Sequence, residues 1–399
     1  MLPLKDLRVV EFCEGFAGPY CAMILADLGA DVIKVEKPDG GDALRRCPPL
    51  SQGYSETFAA LNRNKRSVAL DLQSSEGREA ALQLALLADV VIESHPPGGL
   101  AKLGLGYNAL SAAKPKLIYC SISPFGQTGP RALQEGDDVT VQAVSGLMSA
   151  TGEAEGPPTG FGAPLASLAA ALYGTTAIQA ALLALRDGAS GQYIDVAMLS
   201  AALALMPLHT ASYFGTGRDP KRRGSADPWK GPHQAYRAAD GWFVLTASDD
   251  RHWHSVCQVV GHPELFSDPR FTTAAERAEN HLDLQDLLEE RLARQPVADW
   301  LAELTRRGVP CTAINSVSQA LNDPQVLHLG LLQEITLPSG IATRMIASPF
   351  AFGGETPEVR RAPPALGAHT RDVLWSLGRP GGRPGYRPGD RTGADRDRE

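Results

Sequence analysis

Short apolar runs alternate with helically spaced apolar positions over roughly the first half of the chain. The runs at residues 7–12 and 31–36 predict strands. Residues 20–28 between them have helical spacing that ends at Gly29, where a positive φ is expected. A strand, a helix and a strand within about thirty residues form a βαβ unit with a right-handed crossover. Further strands are predicted at residues 67–72, 89–93 and 117–121, and a helix at residues 75–88. This alternation predicts an α/β open sheet.

The pattern changes near residue 215, where a polar linker containing Gly and Arg begins. A strand at residues 243–247 and helices at residues 252–260, 282–294 and 297–307 follow, which indicates a smaller α+β domain. Apolar runs that suit the core resume at residues 331–337 and 342–352. The last segment, residues 378–399, is rich in Gly, Arg and Pro. We predict that it is disordered, because it has too little apolar surface to offset the entropy of ordering.

Two long apolar stretches, residues 163–185 and 196–208, are predicted to be buried helices. The first is long enough to span a bilayer, but it is mostly alanine and includes the polar residues Ser167 and Gln179; the second is too short. The beginning of the chain also lacks the basic and then apolar pattern of a signal peptide. We therefore expect no membrane segment.

Composition and charge narrow the functional class. Lys and Arg number 38 against 45 Asp and Glu, a formal net charge of -7, which argues against binding of nucleic acid through a basic face. The six cysteines form no CxxC motif and no metal-like pairing with histidine. A reducing, cytoplasmic location without structural metal is therefore expected.

The loop after the first strand suggests a nucleotide site, but the motif is incomplete. Gly15 and Gly18 lie in this loop and Glu36 ends the next strand, yet Pro19 stands near the place of the third glycine of G-x-G-x-x-G. Binding of nicotinamide or flavin is therefore disfavoured. The absence of a G-x-S-x-G elbow and of a Walker loop disfavours α/β-hydrolases and P-loop enzymes.

Two polar clusters each have two interpretations. The basic segment NRNKRS, residues 62–67, is either a solvated loop or a phosphate contact. Asp137 and Asp138 follow Gly136 and precede an apolar helix predicted at residues 139–148, so helix capping is favoured over catalysis.

Several motifs together resemble the class III CoA-transferase family, which also includes the α-methylacyl-CoA racemases. They are AGPY at residues 17–20, LADLGADVIKVEK at 25–37, LNRNKRSVALDL at 61–72, DVVIESHPPG at 89–98, GQYIDVAML at 191–199, ADGW at 239–242, DPRF at 268–271, GVPC at 308–311 and DPQV at 323–326. The resemblance runs in order from about residue 4 to residue 375.

This resemblance implies a Rossmann-like large domain made from both ends of the chain, residues 1–215 and 321–377. A small α+β domain, residues 216–320, would be inserted between them, and two subunits would interlock. It also implies no permanently bound cofactor, with coenzyme A or acyl-CoA as substrate and a small carboxylic acid as acceptor. In the family an aspartate attacks the thioester and carries the acyl group and then CoA.

At the position of that aspartate this sequence has a serine. The family segment Gly-x-Pro-x-Ala-Asp is here Gly162-Ala-Pro-Leu-Ala-Ser167, so the resemblance assigns Ser167 to the catalytic position. A serine would form an ordinary ester and needs a base, and a small residue that packs a helix is the alternative. Asp138 matches the acid common to transferases and racemases. Asp137 replaces the racemase histidine, so racemisation is disfavoured.

The resemblance also supplies candidate CoA contacts and leaves three functions open. The contacts are Lys37, Leu70, Gln73, Ser94, His95, Pro96 and Lys102. The first function is a CoA-transferase, acting as a homodimer, whose carboxylate comes from Asp137, Asp138 or another chain. The second is a non-catalytic subunit that pairs with an aspartate-bearing paralogue in a heteromer. The third is a CoA-ester lyase or hydrolase.

Overall fold

The computed structural model describes residues 2–377; the predicted disordered tail, residues 378–399, lies outside the described residues. Two compact units make up the described chain. The first takes in the chain up to Val141, Ala163–Leu205 and the segment from Gly330 onward, and the second consists of Gln142–Gly162 and Met206–Leu329.

The strands are β1 (Arg8–Phe12), β2 (Asp31–Glu36), β3 (Leu50–Ser51), β4 (Tyr54–Ser55), β5 (Lys65–Ala69), β6 (Val90–Glu93), β7 (Ile118–Ser123), β8 (Tyr193–Ala197), β9 (His233–Arg237), β10 (Trp242–Thr246), β11 (Cys311–Ala313), β12 (Leu332–Thr336) and β13 (Ala342–Ile346).

Helices follow most of these strands. They are α1 (Ala17–Asp27), α2 (Glu56–Asn62), α3 (Ser75–Leu87), α4 (Gly99–Lys102), α5 (Tyr107–Ala113), α6 (Asp138–Ser145), α7 (Leu147–Ala150), α8 (Leu165–Arg186), α9 (Met198–Ala204), α10 (Pro207–Thr216), α11 (Asp250–Val259), α12 (Ala274–Glu279), α13 (His281–Leu292), α14 (Val297–Arg306), α15 (Val317–Leu321), α16 (Pro324–His328) and α17 (Thr370–Leu377). Short 3₁₀ turns lie at Ala43–Arg46 and Pro263–Ser267.

The first unit is built on a six-stranded parallel sheet, so the predicted α/β fold with a parallel sheet is confirmed. The strand order is β5-β2-β1-β6-β7-β8. Numbered among themselves, these strands run 3-2-1-4-5-6, the order of doubly wound sheets. Apolar side chains of the strands pack against α3, α4 and α5 on one face, and α1 packs against α8. Helix α1 stops before Gly29, whose φ is +113°, as the sequence predicts.

The second unit contains a three-stranded antiparallel sheet, β11-β10-β9, with α11, α13 and α14. Its core is aromatic, and includes the fully buried rings of Tyr236, Phe243, Trp253 and Phe271. The predicted strand at residues 243–247 and the helices at residues 252–260, 282–294 and 297–307 are confirmed to within two residues at either end.

The predictions for the two apolar stretches are partly wrong. Helix α8 is long and apolar enough, by length and composition only, to cross a membrane, but only a third of its most apolar stretch is buried. Leu172 and Leu183 are 53% and 60% exposed on it. Residues 196–208 do not form one helix, because Val196 belongs to β8 and Pro207 starts the separate helix α10. Proline lacks the N–H that a continuous helix would require there.

A buried ion network joins β1, β2 and β5. The side chains of Glu11, Lys34, Asp42 and Lys65 are all fully buried. Lys34 Nζ lies 2.9 Å from Asp42 Oδ2 and 3.5 Å from Glu11 Oε1, and Lys65 Nζ donates to Glu11 Oε1 at 2.9 Å. Burial opposes the charge of Lys34, but Glu11 and Asp42 outweigh it and raise its pKa. Burial lowers the pKa of Lys65 to about 8 against the opposing effect of Glu11.

Both interpretations of residues 62–67 are wrong. The segment is neither solvated nor free to meet a phosphate, because its side chains are buried and its cations are paired within the first unit. Arg63 binds Asp27 with both Nε and Nη2, the latter at 2.6 Å from Oδ2. Arg66 Nη2 lies 2.5 Å from Asp31 Oδ2. Three partners from α1, β1 and β2 therefore neutralise this basic segment.

Replacing Glu11 with Gln is expected to lower the free energy of unfolding by about 3–5 kcal/mol, because Lys65 would lose its carboxylate partner and Lys34 would lose one of its own. Urea unfolding followed by circular dichroism measures this change. Glu303→Gln breaks an exposed i,i+3 pair with Arg306 and is the matched control, expected to stay near the native value. Equal midpoints for the two variants would contradict the importance assigned to the network.

Candidate functional site

The loops that follow β1 and β6 meet at the carboxyl edge of the sheet, where the strand order reverses. Ser94, the first residue after β6, donates its N–H to Phe12 O at 3.3 Å. Its Oγ accepts the Glu14 N–H at 3.2 Å. Doubly wound sheets bind ligands in the crevice between such loops. Ser94 therefore ties together the two loops that border the candidate site.

Lys37 follows β2 at the same edge of the sheet. Its side chain is 52% exposed, and its Nζ lies 3.4 Å from Glu14 Oε1. The next glycine of the β1 loop, Gly15, donates its N–H to Asp42 Oδ1 at 3.3 Å. The buried ion network thus reaches the floor of the site through Asp42, while Lys37 offers an exposed cation at its rim.

His95 and Pro96 continue the loop after β6. His95 is half-buried, and burial lowers the pKa of its imidazole. The backbone N–H of His95 donates to Glu93 Oε2 at 2.8 Å. A side chain at Gly99 would come within 3.2 Å of His95 Cβ, so the turn into α4 has little room there. Pro96 is exposed.

The other predicted CoA contacts are more scattered. Leu70 and Gln73 follow β5, the end strand, two strands away from β1. The Leu70 side chain belongs to the core, and its N–H donates to Glu36 O at 2.9 Å; the exposed Gln73 donates its N–H to Asp71 Oδ1 at 2.9 Å. Lys102 is exposed at the last position of α4. The structure thus groups Lys37, Ser94, His95 and Pro96, whereas Leu70, Gln73 and Lys102 lie further along the sheet or helix.

Ser167 and Asp138 meet in the first unit although 29 residues separate them. Ser167 is the third residue of α8 and only 4% exposed, and its N–H donates to Asp138 Oδ1 at 2.7 Å. The residue before α8 is Pro164, which provides no side-chain cap. Asp138 therefore supplies the anionic acceptor that the positive end of α8 favours.

Asp137 takes the capping role that the sequence favours. Its Oδ1 accepts the Thr140 N–H at 2.9 Å and the Thr140 hydroxyl at 2.7 Å, and these hydrogen bonds lower its pKa. The predicted helix at residues 139–148 is divided by Gly146, whose φ is +87°. Asp137 is exposed and caps the start of α6. Of these two aspartates, it is Asp138 that accepts the Ser167 N–H.

The arrangement bears on the available chemistry. The Asp138 carboxylate accepts the backbone N–H of Ser167, and activation of a serine requires a base at its Oγ. Among residues 2–377, no group of three or more His, Cys, Asp or Glu side chains is arranged to hold a metal ion. The residues that sequence reasoning missed are Glu14, Asp42 and Glu93. A charged residue ending the apolar run of β6 was the available signal for Glu93.

Comparisons with known proteins point to one family. The model described as CoA-transferase family III matches residues 4–370. The chain is 37% identical over 386 residues to succinate–glutarate CoA-transferase of Agrobacterium fabrum, covering 94% of this chain and 96% of that protein. It is 35% identical over 375 residues to succinyl-CoA:glutarate CoA-transferase of Mus musculus, covering 94% and 86%. The crystal structure of a CAIB/BAIF family protein from Brucella suis matches with a TM-score of 0.86 and 38% identity, covering 94% of this chain and 99% of that one.

Asp138→Ala is expected to lower the free energy of unfolding by about 1 kcal/mol, because the first turn of α8 loses its acceptor. Asp138→Asn keeps an oxygen at that place and should recover most of the loss. Chemical unfolding of both variants, with the exposed-site variant Asp6→Ala as control, makes the comparison. An alanine variant as stable as the control would show that the contact with Ser167 does not hold α8.

Proposed function

The chain belongs to CoA-transferase family III, and from this premise we propose that it moves coenzyme A from an acyl-CoA thioester to a small dicarboxylic acid. Membership confirms the resemblance drawn from the sequence motifs and makes the chain a CoA-transferase. The class of acceptor is proposed because two relatives are named for succinate and glutarate. The single observation that carries the proposal is the Ser94 bridge between the loops at the strand-order reversal.

We propose that CoA lies along this edge of the sheet. Lys37 and Lys102 are exposed cations suited to phosphate oxygens, and the loop Ser94-His95-Pro96 would contact the pantetheine arm. Leu70 and Gln73 would contribute through backbone groups and an exposed amide. The cations of residues 62–67 pair with carboxylates of the first unit, so phosphate binding is assigned to Lys37 and Lys102 instead.

Ser167 determines how transfer proceeds. A carboxylate nucleophile holds the acyl group as an anhydride and then holds CoA as a thioester. Nucleophiles attack both intermediates easily. Attack by Ser167 Oγ on the thioester carbonyl would instead release CoA and leave an ester, which lies below the thioester in free energy. Return of the acyl group to CoA would then be uphill. We therefore propose slow transfer by the native chain alone.

A second candidate is a non-catalytic subunit that completes a heteromer with an aspartate-bearing paralogue. Two observations favour it. Ser167 is almost fully buried, and both nearby carboxylates, Asp137 and Asp138, accept N–H groups at helix starts. Racemisation has less support, because Asp137 caps α6 in place of the family's histidine.

The proposed architecture is a Rossmann-like large domain with an inserted small domain, in a cytoplasmic, interlocked dimer. The strand order supports the first part of this proposal. Exposed leucines on α8, among them Leu172 and Leu183, support a covered face, since a large apolar patch on a free subunit is unusual.

Ser167→Asp is expected to raise the rate of transfer from succinyl-CoA to glutarate at least about tenfold, because a carboxylate forms a reactive anhydride where serine would form a stable ester. Ser167→Ala should fall below the native rate. Liquid chromatography of the CoA esters gives the rates, and mass spectrometry with hydroxylamine trapping locates any acyl adduct. An inactive native chain that binds CoA, together with an unchanged alanine variant, would favour the non-catalytic subunit.

Leu183→Glu is expected to reduce the dimer fraction in light scattering, because it introduces a charge into the exposed face of α8. Leu133→Glu changes an even more exposed leucine in a loop of the same unit and should leave the dimer unchanged. Far-ultraviolet circular dichroism checks that both variants fold. A native chain that is monomeric at all concentrations would overturn the proposed assembly.

A further inference from the structure

Glu93 is a buried carboxylate without a cationic partner. It is the last residue of β6 and only 5% exposed. The other buried glutamates of the sheet, Glu11 and Glu36, are paired with Lys65 and Arg45, whereas no ion pair of Glu93 occurs within residues 2–377. Burial, reinforced by Asp195, raises its pKa. A buried carboxylate in such a place depends on hydrogen bonds.

A hydrogen bond from the loop that follows β6 stabilises the Glu93 carboxylate. Its Oε2 accepts the backbone N–H of His95 at 2.8 Å, and the neighbouring Ser121 side chain opposes the rise in its pKa. Ser121 Oγ in turn accepts the Tyr193 hydroxyl at 3.2 Å. Tyr193 therefore binds the residue that lies opposite Glu93 in the sheet, and Glu93 holds the backbone of His95.

The strand register brings Glu93, Ser121 and Tyr193 together. Glu93 lies opposite Ser121 in β7, and Ser121 lies opposite Asp195 in β8. Tyr193 is two residues before Asp195, so its side chain leaves the same face of the sheet. Its ring packs against those of Tyr107 and Tyr119, at centroid distances of 5.3 Å and 5.9 Å, which restricts the direction of its hydroxyl.

We propose that Glu93 is a positioning residue for CoA binding, which fixes the loop Ser94-His95-Pro96 through the His95 amide, and that Tyr193 supports it through Ser121. This inference rests on the proposed function, because it takes that loop to contact CoA. Ser94 is already held by Phe12 O and Glu14 N, so Glu93 supplies the next fixed point along the loop. Neither Glu93 nor Tyr193 needs to touch the ligand.

The test compares Glu93→Leu, Glu93→Gln and Tyr193→Phe in the full chain, with the exposed variant Asp286→Asn as control. Glu93→Leu is expected to weaken CoA binding about tenfold by calorimetry, because the His95 amide loses its acceptor. Glu93→Gln should stay within about threefold of native, because an amide oxygen still accepts that N–H. Tyr193→Phe should raise KM for acyl-CoA about two- to fivefold while kcat is kept.

Hydrogen exchange separates this inference from the function on which it rests. In the free protein, the His95 amide should be protected in the native chain and in Glu93→Gln, and should lose protection in Glu93→Leu. A native chain that does not bind CoA overturns the proposed function. If Glu93→Leu folds, a native-like affinity for CoA overturns the positioning role. If Glu93→Leu does not fold, a native KM in Tyr193→Phe overturns it.

Discussion

The pairing of Glu11 with Lys34 and Lys65 is the interaction on which the rest of the first unit depends. It lies across β1, β2 and β5, and all three side chains are fully buried. An unpaired buried charge costs several kcal/mol, so a shift in strand register would be strongly disfavoured. The network also reaches the site, because Lys34 donates to Cys13 O at 2.7 Å and Asp42 accepts the Gly15 N–H. The loop after β1 is therefore held by the core beneath it.

Three carboxylates of the first unit accept backbone amides. Asp42 accepts the N–H of Gly15, Glu93 that of His95 and Asp138 that of Ser167. Asp42 and Asp138 come from segments other than the loop or helix turn that they hold. Glu93 ends the strand that leads into its loop. Charge-assisted hydrogen bonds of this kind are stronger than neutral ones. Three carboxylates thus keep the backbone of two loops and of one helix start in place, and the exposed Lys37 at the rim pairs with Glu14.

Local signals gave correct predictions where the physical cause was local. The βαβ start, the stop of α1 at Gly29 and the helices of the second unit depend on apolar spacing and on glycine. Residues 62–67 were misjudged because their partners are distant in sequence: Asp27 is 36 residues from Arg63 and Glu11 is 54 from Lys65. The contact between Asp138 and Ser167 spans 29 residues and escaped prediction for the same reason. Motif resemblance predicts CoA contacts at Lys37, Ser94 and His95, which follow β2 and β6 at one edge of the sheet, and their contact with CoA stays a prediction.

The contact of Asp138 with Ser167 explains how a serine fits at this position without loss of the fold. The carboxylate of Asp138 binds the backbone N–H, which every residue except proline provides. The start of α8 is therefore anchored whatever side chain residue 167 carries. An aspartate there would bring a second carboxylate close to Asp138, and like charges at short range raise a pKa. With serine the anchor remains and that repulsion is absent, so the start of α8 is held without any contribution from the side chain of residue 167.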